Sequence, residues 1–409
     1  MRIIQGDCRD VMRELEPASV DAIVTDPPYG LGFMGKGWDH GTPGVEFWLE
    51  ALRVAKPGAH LLAFGGTRTF HRLACAIEDA GWKIRDCIMW VYGEGFPKSR
   101  NVSKAIDEAA GAERQVIGQK YVTNVAQGVG LGRGSLIGGE VRAGMIDVTA
   151  PATDEARRWD GWGTALKPAW EPIIIARAPM IGPLAENILK HGTGALNIDG
   201  CRISPPSETY PERRNARIFR TGAGGQDVEA PTLGRWPANL VHDGSDQVVE
   251  LFPEEAGNYA PITGAEQCAS GASGAIYGDF GRRSVDPRLF RGDSGSAARF
   301  FYCAKASAAD RGEGNAHPTV KPGELMRWLV RLVTPPRGTI LDPFSGSGST
   351  AVAAKAEDFS FIGIELDPES CELARRRIAA APMAQLRLPL AQSEPVEQAP
   401  AIPAPSLFD

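Results

Sequence analysis

Seven cysteines are spread over 409 residues, at Cys8, Cys75, Cys87, Cys201, Cys268, Cys303 and Cys371. None forms a C-x-x-C pair or a metal-ligand spacing, which excludes a disulfide framework and a zinc site and suits a reducing cytoplasm. No apolar run is long enough to cross a bilayer, so no membrane partner is expected. Met1–Asp7 reads as a strand rather than a signal peptide. Positive charge is also short: 44 Lys and Arg stand against 50 Asp and Glu, a net charge of −6. Non-specific coating of nucleic acid is thereby excluded, and any such contact needs a local basic surface. No internal repeat and no helix-turn-helix pattern is present.

What is present first is alternation. Arg2–Gln5, Val20–Val24, His60–Phe64 and Ile84–Tyr92 read as short apolar strands. Helical spacings lie between them at Cys8–Leu15, Val45–Ala55 and Thr67–Ala80. Strand–helix alternation predicts a parallel sheet covered on both faces. From Ser99 to Arg299 the pattern lapses into Gly, Pro, Ser and Arg, apart from Trp170–Arg177, which reads as a strand returning antiparallel to the sheet. Order resumes with a strand at Arg299–Lys305, a helix at Gly323–Val333, strands at Thr339–Leu341 and Phe359–Ile364, and helices at Thr350–Ala356 and Pro368–Ala381. The expected fold is α/β, a doubly wound, mostly parallel Rossmann-like sheet with a large irregular insertion. Its parts are 1–98, an insertion at 99–299, 300–382, and a tail at 383–409 too polar and proline-rich to fold.

Two strand exits carry chemistry. Val20–Val24 runs into Thr25-Asp26-Pro27-Pro28-Tyr29-Gly30. The prolines lack an N–H and fix φ, making a rigid loop that projects a carboxylate, a ring and free carbonyls from the carboxyl edge of the sheet. That edge is where open α/β sheets bind ligands. Thr339–Leu341 delivers Asp342-Pro343-Phe344, then Gly346-Ser347-Gly348-Ser349-Thr350-Ala351, a glycine turn opening a helix, with Glu365 at the end of the following strand. Glycines admit a ligand to the backbone and the helix start favours an anion. Taken alone, the turn would also suit a nicotinamide dinucleotide and its dehydrogenases.

Together the two stretches resemble the DNA amino-methyltransferases of the β class. In these enzymes the Asp-Pro-Pro-Tyr motif comes first, the target-recognition region lies in the middle, and the S-adenosylmethionine loop comes last. The resemblance covers about 1–98 and 300–382. Over the middle it is weak, although Lys167-Pro168-Ala169-Trp170-Glu171-Pro172 is similar to a segment of phage-type members. It implies that Asp26, Pro27, Pro28 and Tyr29 are catalytic. Asp342, Pro343, Phe344, Gly346, Gly348 and Thr350 would line the cofactor, Glu365 would take its ribose, Asp7 and Cys8 would lie near its adenine, and Thr319 and Lys321 would close over it. Asp26 and the Pro27 carbonyl would accept the N–H bonds of an extruded base, with Tyr29 stacked on it. Asp at the first motif position leans toward adenine N6 and Ser toward cytosine N4. A protein-glutamine methyltransferase would be expected to carry Asn at position 26.

The insertion interleaves Arg213, Arg214, Arg217 and Arg220 with Phe219, and Arg282, Arg283, Arg288 and Arg291 with Phe290. Such interleaving suits contact with double-stranded DNA. Acidic residues are nearly as frequent there, so a solvated mixed-charge surface fits the same stretch. In the tail, Gln385-Leu386-Arg387-Leu388-Pro389-Leu390 resembles peptides that bind the bacterial replication sliding clamp. A homodimer is compatible with all of this.

Overall fold

The computed structural model describes residues 1–30, 41–93, 95, 99–126, 141–203, 234–254, 296–304 and 320–382. In chain order the elements are β1 (Arg2–Gln5), α1 (Cys8–Glu14), β2 (Val20–Thr25), α2 (Val45–Val54), β3 (Ala55–Phe64), α3 (Phe70–Asp79) and β4 (Lys83–Val91). Next come α4 (Val102–Ala109), β5 (Val116–Ala126), β6 (Val141–Thr149), α5 (Asp154–Arg158), β7 (Trp170–Arg177), α6 (Leu184–His191), β8 (Leu240–His242), α7 (Asp246–Val249) and β9 (Tyr302–Cys303). The last are α8 (Gly323–Val333), β10 (Thr339–Asp342), α9 (Ser349–Ala356), β11 (Ser360–Glu365) and α10 (Pro368–Ala380).

Among the described residues nine strands form one sheet in the order β1-β11-β10-β2-β3-β7-β4-β8-β9. Every pairing is parallel except those of β7, which runs antiparallel to both β3 and β4. The doubly wound sheet and the antiparallel return of Trp170–Arg177 are as the sequence predicts.

Alternation along the strands divides the core into two layers. Ala22, Val24, Leu62, Phe64 and Ile340 point to one face and pack with α8 and α9. Ile23, Leu61, Ala63 and Leu341 point to the other, joined by Val20 across the irregularity at the start of β2, and pack with Met12, Trp48 and Leu73 of α1, α2 and α3. Seven of the residues of α8, from Leu325 to Val333, are buried, each contributing roughly 1.5–3 kcal/mol for a large apolar side chain. β10 and β2 pair directly, Ile340 beside Ala22 and Leu341 beside Ile23. The chain leaves β2 toward the α2 face and leaves β10 toward the α9 face, so their carboxyl ends flank a topological switch point.

Some expectations are corrected. The stretch 99–299 holds more regular structure than its composition indicates. A β5–β6 hairpin stands apart from the main sheet, and α4 and α5 clamp its base. Asp107 of α4 accepts from Arg114 at 2.5 Å and from the Thr153 hydroxyl at 2.8 Å. Arg299–Lys305 is not one strand. Ser296 Oγ accepts from Ala298 N at 3.3 Å and starts a 3-10 turn over Ala297–Phe300, leaving Tyr302–Cys303 to pair with β8. The strand expected at His60–Phe64 begins five residues earlier, at Ala55, so Lys56-Pro57-Gly58 lies within β3, whose register against β2 shifts between Val20 and Ala22.

Candidate active site

At the carboxyl end of β2 the chain turns through Asp26–Gly30, and Gly30 takes φ 67°, the left-handed region where glycine is favoured. Thr69 at the start of α3 fixes this loop by donating its hydroxyl to the Tyr29 carbonyl at 2.7 Å. The loop forms one wall of a crevice of about 1990 Å³ along the carboxyl edge of the sheet.

Four polar side chains from three distant segments meet there. Tyr29 donates its hydroxyl to Asp26 Oδ1 at 2.7 Å and lies 3.3 Å from Glu171 Oε2. Lys321 Nζ donates to Glu171 Oε2 at 2.8 Å and to the Tyr29 hydroxyl at 3.0 Å, and lies 3.2 Å from Asp26 Oδ2. It also sits 4.6 Å over the Phe64 ring. Burial by itself would lower the affinity of Lys321 for its proton, but the carboxylates of Asp26 and Glu171 more than reverse this, so the ammonium persists. Burial, then the two carboxylates, pushes the Tyr29 hydroxyl well above its ordinary range, and it stays protonated.

The opposite wall is the glycine loop after β10. Asp342 is buried and accepts from the hydroxyls of Thr25 and Thr350, each at 2.6 Å, and from Phe344 N at 3.1 Å. Burial outweighs these donors and pushes its carboxyl up to about 6. Gly346 and Gly348 take φ 50° and 81°. A Cβ on Gly348 would stand 2.9 Å from the Ala374 Cβ, so α10 closes on the turn at glycine distance. Glu365 accepts from Gly346 N at 2.7 Å and from Asp367 N at 2.9 Å. A carboxylate has about four lone-pair sites, and two backbone donors leave the others for a ligand.

The predicted residues thus converge. Asp26 to Tyr29, Asp342 to Phe344, Gly346, Thr350, Glu365, Lys321, Asp7 and Cys8 all line the crevice. Gly348 lies one turn behind, against α10. Asp7 caps α1 through Arg9 N at 2.9 Å and pairs with the Arg9 guanidinium at 2.6 Å, which holds its carboxyl below the usual range. Cys8 is buried and its thiol is pushed up to about 12, mainly by burial and then by Asp7, so it remains neutral. Thr319 and the eight arginines from Arg213 to Arg291 lie outside the described residues, as does Gln385–Leu390.

Two contributors escape a reading of the sequence as a string. Glu171, on β7, completes the polar cluster. Phe47 of α2 packs its ring 5.8 Å from Phe344 and lies 4.8 Å under the Arg9 guanidinium, making an aromatic wall beside the glycine loop. Its helical spacing identifies it as a helix residue but not which end of the sheet it faces.

Residues 20–114 and 277–376 match the family model described as DNA methylase, and these segments supply both walls of the crevice. Over these two segments, just under half of its residues, the chain is similar to the DNA methylase family. M.HindIII, a type II methyltransferase of Haemophilus influenzae, is 21% identical over 92% of this chain and 94% of its own length. M.HpaI, a type II methyltransferase of Haemophilus parainfluenzae, is 32% identical over 26% of this chain and 37% of its own length, a local match. A crystal structure of an M1.HpyAVI–SAM complex aligns over 92% of this chain and 98% of that one, with 15% identity and a TM-score of 0.39. The two matched segments lie far apart in the chain and meet at one switch point. No helix among the described residues is long and apolar enough to cross a membrane.

Proposed function

We propose that the protein transfers a methyl group from S-adenosylmethionine to the exocyclic amine of an extruded base in double-stranded DNA, with adenine N6 as the target. One observation carries the reading: parallel pairing of β2 with β10 brings Asp26-Pro27-Pro28-Tyr29 and the Asp342–Gly348 turn to a single crevice.

The residues fit the cofactor. Gly346 lines the crevice without a Cβ, Gly348 lets α10 close behind the turn, and the start of α9 suits a carboxylate. Glu365 has lone pairs free for two ribose hydroxyls, and the Phe47–Phe344 wall offers an apolar surface. When bound, the cofactor supplies an electrophilic methyl group on a sulfonium.

The remaining work belongs to the chain. An exocyclic amine is a poor nucleophile because its lone pair is delocalised into the ring. Asp26 and the Pro27 carbonyl, held by a loop with little freedom, can each accept one N–H bond, which draws the nitrogen toward a tetrahedral shape and frees the pair for in-line attack. Asp26 is too weak a base to deprotonate a neutral amine, so its part is to accept charge as it develops. Tyr29, already over the crevice, would stack on the extruded base. The segment from about 181 to 298 would then select the DNA sequence. Asp rather than Ser at position 26 favours adenine over cytosine.

Methylation-aware sequencing of DNA from a methylation-free host expressing the protein tests this. N6-methyladenine at one recurring sequence is expected. Modification on cytosine N4 would overturn the choice of base, and no modification would overturn the reading.

A further inference from the structure

Glu171 has no part in the chemistry above, yet it sits among the groups that do. It is the third residue of the Ala169-Trp170-Glu171-Pro172 run, on the only strand of the main sheet described as running against its neighbours. Its side chain is 20% exposed, against 8% for Lys321 and 24% for Asp26. A buried ammonium needs a counterion. If Asp26 were the only one, the charge that must polarise the target amine would be spent on Lys321, and the carboxylate would be a weaker acceptor.

The distances divide the ammonium differently. Lys321 Nζ stands 2.8 Å from Glu171 Oε2 and 3.2 Å from Asp26 Oδ2. Tyr29 likewise has two acceptors, Asp26 at 2.7 Å and Glu171 at 3.3 Å. Two carboxylates share one ammonium, so the cluster keeps one net negative charge at the mouth of the crevice. When a substrate N–H takes its place on Asp26, both Lys321 and Tyr29 have Glu171 to turn to, and no buried donor is orphaned.

We infer that Glu171 is a positioning residue that draws Lys321 and Tyr29 to itself and so leaves Asp26 charged and open to the target amine. The inference rests on the methyltransferase reading and adds to it a residue whose effect runs wholly through Lys321 and Tyr29. Glu171→Gln keeps the shape but removes the charge, leaving Lys321 to Asp26 alone. Removing Lys321 as well restores one uncompensated carboxylate at Asp26.

The test is steady-state methyl transfer by the full-length protein and three variants, with thermal melts and cofactor titrations alongside. For Glu171→Gln, kcat should fall about 10- to 100-fold while KM for DNA and cofactor affinity stay within about twofold. Glu171→Asp should recover most of the loss. Glu171→Gln combined with Lys321→Gln should be faster than Glu171→Gln alone, by about tenfold. A residue that merely braces the fold would not be rescued by deleting its partner. Glu171→Gln at wild-type kcat, or a double variant no faster than the single one, overturns the inference. A wild-type protein that methylates no DNA fails the underlying reading instead, and that shows before any variant is made.

Discussion

The Thr25 hydroxyl donates to Asp342 Oδ1 at 2.6 Å across 317 residues of chain. Thr25 is the last residue of β2 and Asp342 the last of β10. The other oxygen of the same carboxylate is held by Thr350 at 2.6 Å. One buried side chain therefore ties the end of the Asp-Pro-Pro-Tyr strand to the first turn of the helix behind the glycine loop, setting the spacing between the two walls of the site.

Thr25→Val removes that tie at nearly constant volume and leaves a buried carboxylate oxygen short of a donor. A loss of about 1–3 kcal/mol is expected, together with a lower kcat, since in-line transfer tolerates little misplacement. Urea denaturation and single-turnover methylation check this; a variant equal to wild type in both would show that the tie has no part in the geometry.

Asp342 also gives a pH dependence. Its carboxyl is pushed up from 3.8 to about 6, chiefly by burial, so between about pH 4 and pH 6 the folded state holds a proton that the unfolded state has lost. Its contribution is therefore full below about pH 4 and is lost as pH rises through 6. The change is on the order of 2–3 kcal/mol. Asp342→Asn mimics the protonated form, so its stability relative to wild type should improve between pH 4 and pH 7. Urea midpoints at both pH values measure it, and a constant difference would contradict it.

Gly348→Val places a β-branched residue at φ 81°, with its Cβ 2.9 Å from that of Ala374. The turn has to deform or α10 has to move. Calorimetric titration with S-adenosylmethionine should show binding at least tenfold weaker, with roughly 1–3 kcal/mol of lost stability. Unchanged affinity would place the cofactor elsewhere.

Both walls of the site are legible in the sequence because their signals are local. Val20–Val24 is short, apolar and closed by two prolines, and Thr339–Leu341 is closed by Asp-Pro-Phe and a glycine turn. What joins them is not local. Glu171 reads as one acid in a strand, and its partners Tyr29 and Lys321 are 142 and 150 residues away. The β5–β6 hairpin escapes notice for another reason. Val116, Ile117, Tyr121 and Met145 are exposed, so burial imposes no period-two pattern on it. The aromatic run at Arg299–Tyr302 resembles a strand, yet its rings serve other contacts: the guanidiniums of Arg235 and Arg299 lie 4.3 and 4.5 Å from the Phe300 ring.

The most direct measurement follows labelled methyl from S-adenosylmethionine into DNA with purified wild-type protein and Asp26→Ala, then digests the DNA and separates its nucleosides. The label should run with N6-methyl-2′-deoxyadenosine for the wild type and vanish for Asp26→Ala, while the variant still binds the cofactor. Transfer by Asp26→Ala at near the wild-type rate would contradict the role given to this carboxylate.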